Sequence, residues 1–151
     1  MPLIEIYTQL PATPQRCFDL CLDVDAHQAS TMASQERVVA GVSTGALALG
    51  DSVTWSARHF GLSWQLTVEI TAYDPPHRFV DEMRQGPFSR LRHEHIFEAT
   101  LGGTRMTDRF DFASPLGALG QIVDALVMKR HLRAFLVARN AHLAAELAGA
   151  P

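Results

Sequence analysis

The chain has 151 residues, 47% of them hydrophobic and 19% charged, with a formal net charge of −3. That balance suits one globular domain over residues 1–151 and excludes intrinsic disorder. No stretch approaches the ~20 uninterrupted apolar residues of a membrane span, and the mildly acidic charge disfavours nucleic acid as a partner.

The first residues, Met1-Pro2-Leu3-Ile4-Glu5, lack the basic and apolar regions of a signal peptide, so the expected location is the cytoplasm, without stable membrane insertion. Leu3 to Leu10 alternates and predicts a first strand. Pro11 to Pro14 breaks it, with Thr13 a helix cap and Pro14 at the first helical position. Cys17 and Cys21 share a face of that helix and are expected as buried thiols, since two cysteines alone make no zinc site. Asp23 caps a second short helix, to about Met32. Strands then follow over Glu36–Val42, Asp51–Phe60, Leu62 to Asp74, His77–Gln85, Arg90–Ala99 and Thr104–Ala113, with glycines and prolines between them. Six strands with short connections predict an antiparallel meander. Ser114-Pro115 ends the sheet and opens a long helix to about Leu147, with Ser114 as its cap. Its apolar positions (Leu119, Val123, Leu126, Val127, Leu132, Leu136, Leu143, Leu147) predict a broad face laid against a curled sheet.

Charge sets the register of the last hairpin. Placing Ala99 opposite Thr104 across a four-residue loop sets Glu98 against Arg105, Glu94 against Arg109 and Arg92 against Asp111. Such cross-strand pairs contribute about 0.2–1 kcal/mol each. The arginines of these strands therefore predict a solvated outer face rather than a phosphate-binding stripe. The same register turns Phe97 and Met106, His95 and Asp108, and His93 and Phe110 inward in pairs. Phe79, Asp81 and Met83 of the preceding strand join them, with Asp81 opposite His93.

Asp81, His93, His95 and Asp108 thus converge on an otherwise apolar surface facing the long helix. A buried, unpaired carboxylate costs several kcal/mol, so that surface is expected to border a cavity. A carboxylate beside an imidazole raises its pKa and sets its tautomer, which makes His93 or His95 a candidate general base or acid, oriented by Asp81 or Asp108. The four groups have the chemistry of a metal site, but each histidine has a nearer aspartate partner, so neither metal nor other cofactor is expected. No nucleophile elbow surrounds Ser89 or Ser114, and no glycine-rich phosphate loop occurs. Trp55, Trp64 and Leu66 complete the expected cavity wall with Phe79, Met83, Phe97, Met106 and Phe110. Arg130 and Arg133, mid-helix, are within possible reach of the carboxylates, although exposure is the commoner fate.

The order of strand, two short helices, six strands and a closing helix resembles the helix-grip fold of the SRPBCC superfamily. That superfamily includes START-type lipid-transfer domains, relatives of the birch-pollen allergen and aromatic polyketide cyclases. The most specific stretches are Tyr73-Asp-Pro-Pro-His-Arg-Phe-Val-Asp-Glu82, Gly86-Pro-Phe88, Leu91-Arg-His-Glu-His-Ile-Phe97 and Gly102-Gly-Thr-Arg-Met-Thr-Asp108. They are similar to a bacterial branch of cyclase/dehydrase-like proteins. The resemblance implies an α+β fold, with about seven antiparallel strands wrapped around the C-terminal helix. It does not fix a function, because carriers, receptors, cyclases and hydroxylase domains share the scaffold. The cysteine and histidine pairs of a Rieske cluster, which the hydroxylases carry, are absent. The expected function is binding of a small hydrophobic or aromatic ligand, with the Asp–His cluster holding its polar group. The competing expectation is cyclase, dehydratase or isomerase chemistry at that cluster. The sequence leaves the oligomeric state open.

Overall fold

The computed structural model describes residues 2–149. Strand β1 (Leu3–Leu10) leads into helices α1 (Pro14–Leu22) and α2 (Val24–Ser30) and a 3-10 turn (Met32–Ser34). The meander follows as β2 (Arg37–Gly41), β3 (Ser52–His59), β4 (Leu62–Asp74), β5 (Arg78–Gln85), β6 (Arg90–Thr100) and β7 (Gly103–Ala113). Helix α3 (Gly117–Val123), a π turn (Asp124–Met128) and α4 (Lys129–Gly149) close the chain as one continuous helix.

The seven strands form one antiparallel sheet in the order β1-β7-β6-β5-β4-β3-β2. Register shifts in the β2–β3 and β4–β5 ladders mark bulges, which increase twist and bend the sheet around the helix. The caps follow the residue types. Thr13 Oγ1 accepts from Arg16 N at 3.4 Å, and Asp23 Oδ1 accepts from Ala26 N at 2.9 Å.

The hairpin has the expected register, with Ala99 opposite Thr104, but pairing continues through Thr100 and Gly103, so the turn is tighter than four residues. Gly103 sits at φ 143°, where an added Cβ would lie 2.1 Å from the Leu10 carbonyl oxygen. On the outer face Arg105 reaches Glu98 and Arg109 lies between Glu94 and Glu5, each directly opposite it, while Arg90 and Arg78 reach diagonal partners. Asp111 binds Arg90 at 2.6 Å, and Glu94 takes a forked bond from Arg78 at 2.7 and 3.0 Å. Arg92 and Arg109 lie 3.8 and 3.7 Å from Glu94, and Arg109 also meets Glu5 at 3.1 Å. Diagonal neighbours lie within reach of long side chains in a twisted ladder, and arginine exploits that reach.

Two expectations for the long helix are corrected. Ser114 does not cap it. The residue before α3 is Leu116 at φ 73°, with no side-chain cap, and Ser114 instead bonds the buried Asp124 through its N–H (2.9 Å) and its hydroxyl. Nor is the whole apolar face buried: Leu132, Leu136, Leu143 and Leu147 are, while Leu119, Val123, Leu126 and Val127 are exposed. The first half of the helix stands off from the sheet because a cavity lies between them. No helix among the described residues is long and apolar enough to cross a membrane.

The Glu98–Arg105 pair is isolated enough to test the register. Glu98→Arg or Arg105→Glu alone should lower stability by up to about 1 kcal/mol in urea melts, with most of it recovered in the double variant. The same exchange between Glu94 and Arg109 should not recover, because the new side chains would face Arg78 and Glu5 as like charges. Recovery at the second pair and none at the first would contradict the register.

Candidate functional site

Inward alternation on β5, β6 and β7 brings Asp81, His93, His95 and Asp108 together, as the period-two pattern predicted. Backbone register sets Asp81 opposite His93 and His95 opposite Asp108. The hydrogen bonds cross over. His93 Nε2 is 2.7 Å from Asp108 Oδ1, and His95 Nε2 is 3.1 Å from Asp81 Oδ2. The two imidazoles overlie each other with centroids 3.8 Å apart, and His95 stacks on Phe79 at 4.1 Å, which holds both rings in the diagonal arrangement.

Helix α4 supplies the part that the sequence reading missed. Arg139 and Asn140 lie on its buried stripe between Leu136 and Leu143. Arg139 Nη2 donates to Asp108 Oδ1 at 3.0 Å, and Asn140 Nδ2 donates to Asp108 Oδ2 at 2.6 Å and to Thr8 Oγ1 at 3.0 Å. Asn140 Oδ1 in turn accepts from Arg139 Nε and Nη2. Arg130 and Arg133 reach neither carboxylate: both are exposed, and Arg133 Nη1 bonds the Glu5 carbonyl. The missed signal was the phase of the helix, since Leu132, Leu136, Arg139/Asn140, Leu143 and Leu147 repeat every three or four residues.

Asp108 has 0% of its surface exposed. Burial alone would raise its pKa, but the Arg139 charge and the histidine donors hold it well below the usual carboxylate range. Asp108 is therefore a carboxylate that can only accept, so His93 Nε2 carries the proton of their bond. Burial, aided by the neighbouring His95, lowers the His93 pKa to about 4 against the pull of Asp108. Its ring is thus neutral near pH 7, with a bare lone pair on Nδ1. For His95, burial works against charge, but Asp108 and Asp81 together outweigh it and raise the pKa. Its Nδ1 lies 3.3 Å from Asp108 Oδ1, in reach of charge attraction but misaligned for a hydrogen bond. Asp81 is lowered: its bond from His95 and the positive charge nearby outweigh its desolvation.

Beside this cluster lies a cavity of about 490 Å³ with a predominantly carbon lining. Its size falls in the usual range for small-molecule sites. Trp55, Leu66, Asp81, His93 and Phe110 form part of its wall, as does Trp64 near the opening, 38% exposed, with its indole N–H donating to the His59 carbonyl at 3.0 Å. Phe79, Phe97 and Met106 instead pack into the core with α1, and Met83 packs against the other core cluster. His95 and Asp108 stand behind His93 rather than on the lining. Exposed Phe60 and Leu119, with half-exposed Trp64, lie at the opening between the β3–β4 hairpin and the start of the long helix.

Two further polar pairs border the cavity. His27 Nε2 lies 2.7 Å from Glu36 Oε1, with its ring over Trp55 at 4.3 Å. His59 Nδ1 lies 2.8 Å from His131 Nε2, joining β3 to α4. His59 shares a face of β3 with Trp55 by alternation, whereas His27, Glu36 and His131 carry no periodic signal. Asp81, His93 and His95 also bring one donor atom each within 4.8 Å of one another, close enough to hold a metal ion. A cation there would meet the proton on His95 and the Arg139 guanidinium, so hydrogen bonding is the use this geometry favours.

The chain belongs to the family described as polyketide cyclase / dehydrase and lipid transport, whose pattern it matches over residues 1–148. No curated protein matches its sequence. Among solved structures it is similar to protein TTHA0849 from Thermus thermophilus, at 19% identity and TM-score 0.75, covering 96% of this chain and 99% of that one. Protein Ms6760 from Mycobacterium smegmatis superimposes with TM-score 0.72 at 22% identity, covering 97% and 90%. The major latex-like protein 151 of Panax ginseng does so with TM-score 0.70 at 14% identity, covering 96% of each. At these identities the likeness is one of fold, and it supports the helix-grip architecture of the SRPBCC superfamily.

The ionic knot yields a stability prediction. Arg139→Met leaves Asp108 buried without its counter-charge and should cost roughly 3–5 kcal/mol in urea unfolding at pH 7. Adding Asp108→Asn removes the uncompensated charge and should recover part of that loss. A single variant within about 1 kcal/mol of the parent would contradict this account.

Proposed function

We propose that the protein binds a small, largely apolar or aromatic molecule in the cavity between the curved sheet and the C-terminal helix. The observation that carries this reading is a roomy, carbon-lined cavity with ionised side chains set in one wall. A packed core has no use for either feature. Trp55, Trp64, Leu66 and Phe110 supply apolar contact in this reading, and Asp81 and His93 meet a polar group of the ligand. His95 and Asp108 fix those two from behind, and Phe79, Met83, Phe97 and Met106 stiffen the wall. The cytoplasmic setting belongs to the same proposal, and the unpaired Cys17 and Cys21 suit a reducing compartment.

One observation favours a second reading, proton-transfer catalysis of the cyclase, dehydratase or isomerase kind. Asp108 fixes His93 through Nε2 and leaves Nδ1 free beside the cavity, which is the geometry of an oriented general base. A pKa near 4 makes that nitrogen a weak base at neutral pH, so binding is the stronger reading.

N-phenyl-1-naphthylamine, a neutral fluorophore, should bind saturably with one site per chain. Ala57→Trp, which adds an indole to the cavity lining from β3, should weaken binding by about tenfold or more. His93→Gln should leave this apolar probe bound, whereas an enzyme would lose turnover in that variant. Absence of saturable binding, or binding indifferent to Ala57→Trp, would contradict the proposal.

A further inference from the structure

The unused hydrogen-bonding atoms around Asp108 specify what kind of polar group belongs beside them. Asp108 spends Oδ1 on His93 Nε2 and Arg139 Nη2, and Oδ2 on Asn140. His93 therefore turns a bare Nδ1 lone pair outward. That nitrogen makes no hydrogen bond among the described residues, and its ring lines the cavity. A second proton on His93 would place two imidazolium rings face to face at 3.8 Å, and His95, flanked by both carboxylates, is the better holder of the charge. Asp81 uses Oδ2 for His95 and keeps Oδ1 without a partner among the described residues. Its side chain retains 19% of its surface, on the cavity wall. Arg139 spends Nε and Nη2 on Asn140 and Asp108, and keeps Nη1 unbonded while also lining the cavity. His93 and Arg139 meet the same oxygen of Asp108, and Asp81 and His93 bring one ligand atom each within 4.8 Å, so the three residues adjoin on one stretch of the cavity wall.

That stretch therefore offers two acceptors, Asp81 Oδ1 and His93 Nδ1, and one donor, Arg139 Nη1. Opposite charges face each other there: the Asp81 and Asp108 carboxylates stand against the Arg139 guanidinium and against His95, whose pKa the two carboxylates raise despite its burial, so the charges approach balance. A carboxylate would satisfy Arg139 but face the Asp81 charge and leave both acceptors unpaired. An ammonium would satisfy the acceptors but meet Arg139 and break the balance. A ketone or ether accepts only. A hydroxyl carries no charge, accepts from Arg139 and donates its one O–H to either Asp81 Oδ1 or His93 Nδ1, leaving only the other acceptor to a second group.

We propose that the cavity selects ligands bearing a neutral hydroxyl, such as a phenol, enol or alcohol, which donates to Asp81 or His93 and accepts from Arg139. The proposal rests on the binding function above and adds the chemical class of the ligand. The rest of the ligand is apolar, as the remaining lining requires.

A matched series tests it at pH 7 by isothermal titration: 2-naphthol, 2-methoxynaphthalene, naphthalene and 2-naphthoate. 2-Naphthol should bind at least about tenfold more tightly than each of the other three, the advantage of a hydrogen bond to a charged group over none. Its near-ultraviolet absorption should shift to the red on binding, as its O–H meets an anionic acceptor. Asp81→Asn should reduce both the shift and the ratio of 2-naphthol to naphthalene affinity, the ratio falling by several-fold. Equal binding across the series, or tightest binding of 2-naphthoate, would overturn the hydroxyl assignment and leave the binding function standing. So would no binding of the series to a protein that takes up N-phenyl-1-naphthylamine. Failure of that probe together with the whole series would instead overturn the binding function on which the assignment rests.

Discussion

The buried charge on Asp108 constrains much of what surrounds it. A carboxylate in a dry interior is several kcal/mol unfavourable unless opposite charge and hydrogen bonds meet it. Here three side chains from two elements do so: His93 from β6, and Arg139 and Asn140 from α4. Asn140 extends the link to Thr8 on β1, so the helix is tied across the β1–β7–β6 part of the sheet. Packing of Leu132, Leu136, Leu143 and Leu147 is non-directional and would tolerate small rotations of the helix. The polar knot tolerates none, because turning Arg139 away would strand the aspartate.

From that anchor the cavity follows. The C-terminal half of the long helix is clamped to the sheet, and its start is held separately through Ser114 and the buried Asp124. Between these points the π turn adds a residue to the helical repeat and shifts the phase of the side chains. Leu126 and Val127 of this stretch are exposed outside the cavity, while Leu119 and Val123 line it. The sheet curves away beneath them through its bulges, and the enclosed space is left to an apolar guest. Burial also disfavours charge on His93, whose pKa falls to about 4, while the two carboxylates raise that of His95.

The fold was largely legible in the sequence. Alternation from Leu62 to Ile70 and the opposed charges of Glu98 with Arg105 and Glu94 with Arg109 determine strand identity and register, and a one-residue slip would have turned His93, His95 and Asp108 outward. Thr13 and Asp23 were readable caps because their chemistry is local. What escaped was non-local. Diagonal pairing depends on sheet twist, which no spacing encodes, and His27 with Glu36 meets the cavity from the short helix α2 and the residue before β2, where no period shows. Arg139 was hidden differently. Its place on the apolar stripe was visible, yet a charged residue there is ordinarily discounted until a buried partner is known.

The most direct measurement of this account is a nitrogen-15 histidine titration of the intact protein by NMR, with long-range proton correlations to assign each ring. His93 should appear as the neutral Nε2–H tautomer from pH 7 down to the vicinity of its pKa of about 4, while His95 stays doubly protonated at pH 6. His93 found as the Nδ1–H tautomer, or charged at pH 6 while His95 is neutral, would show that Asp108 does not organise the site as described.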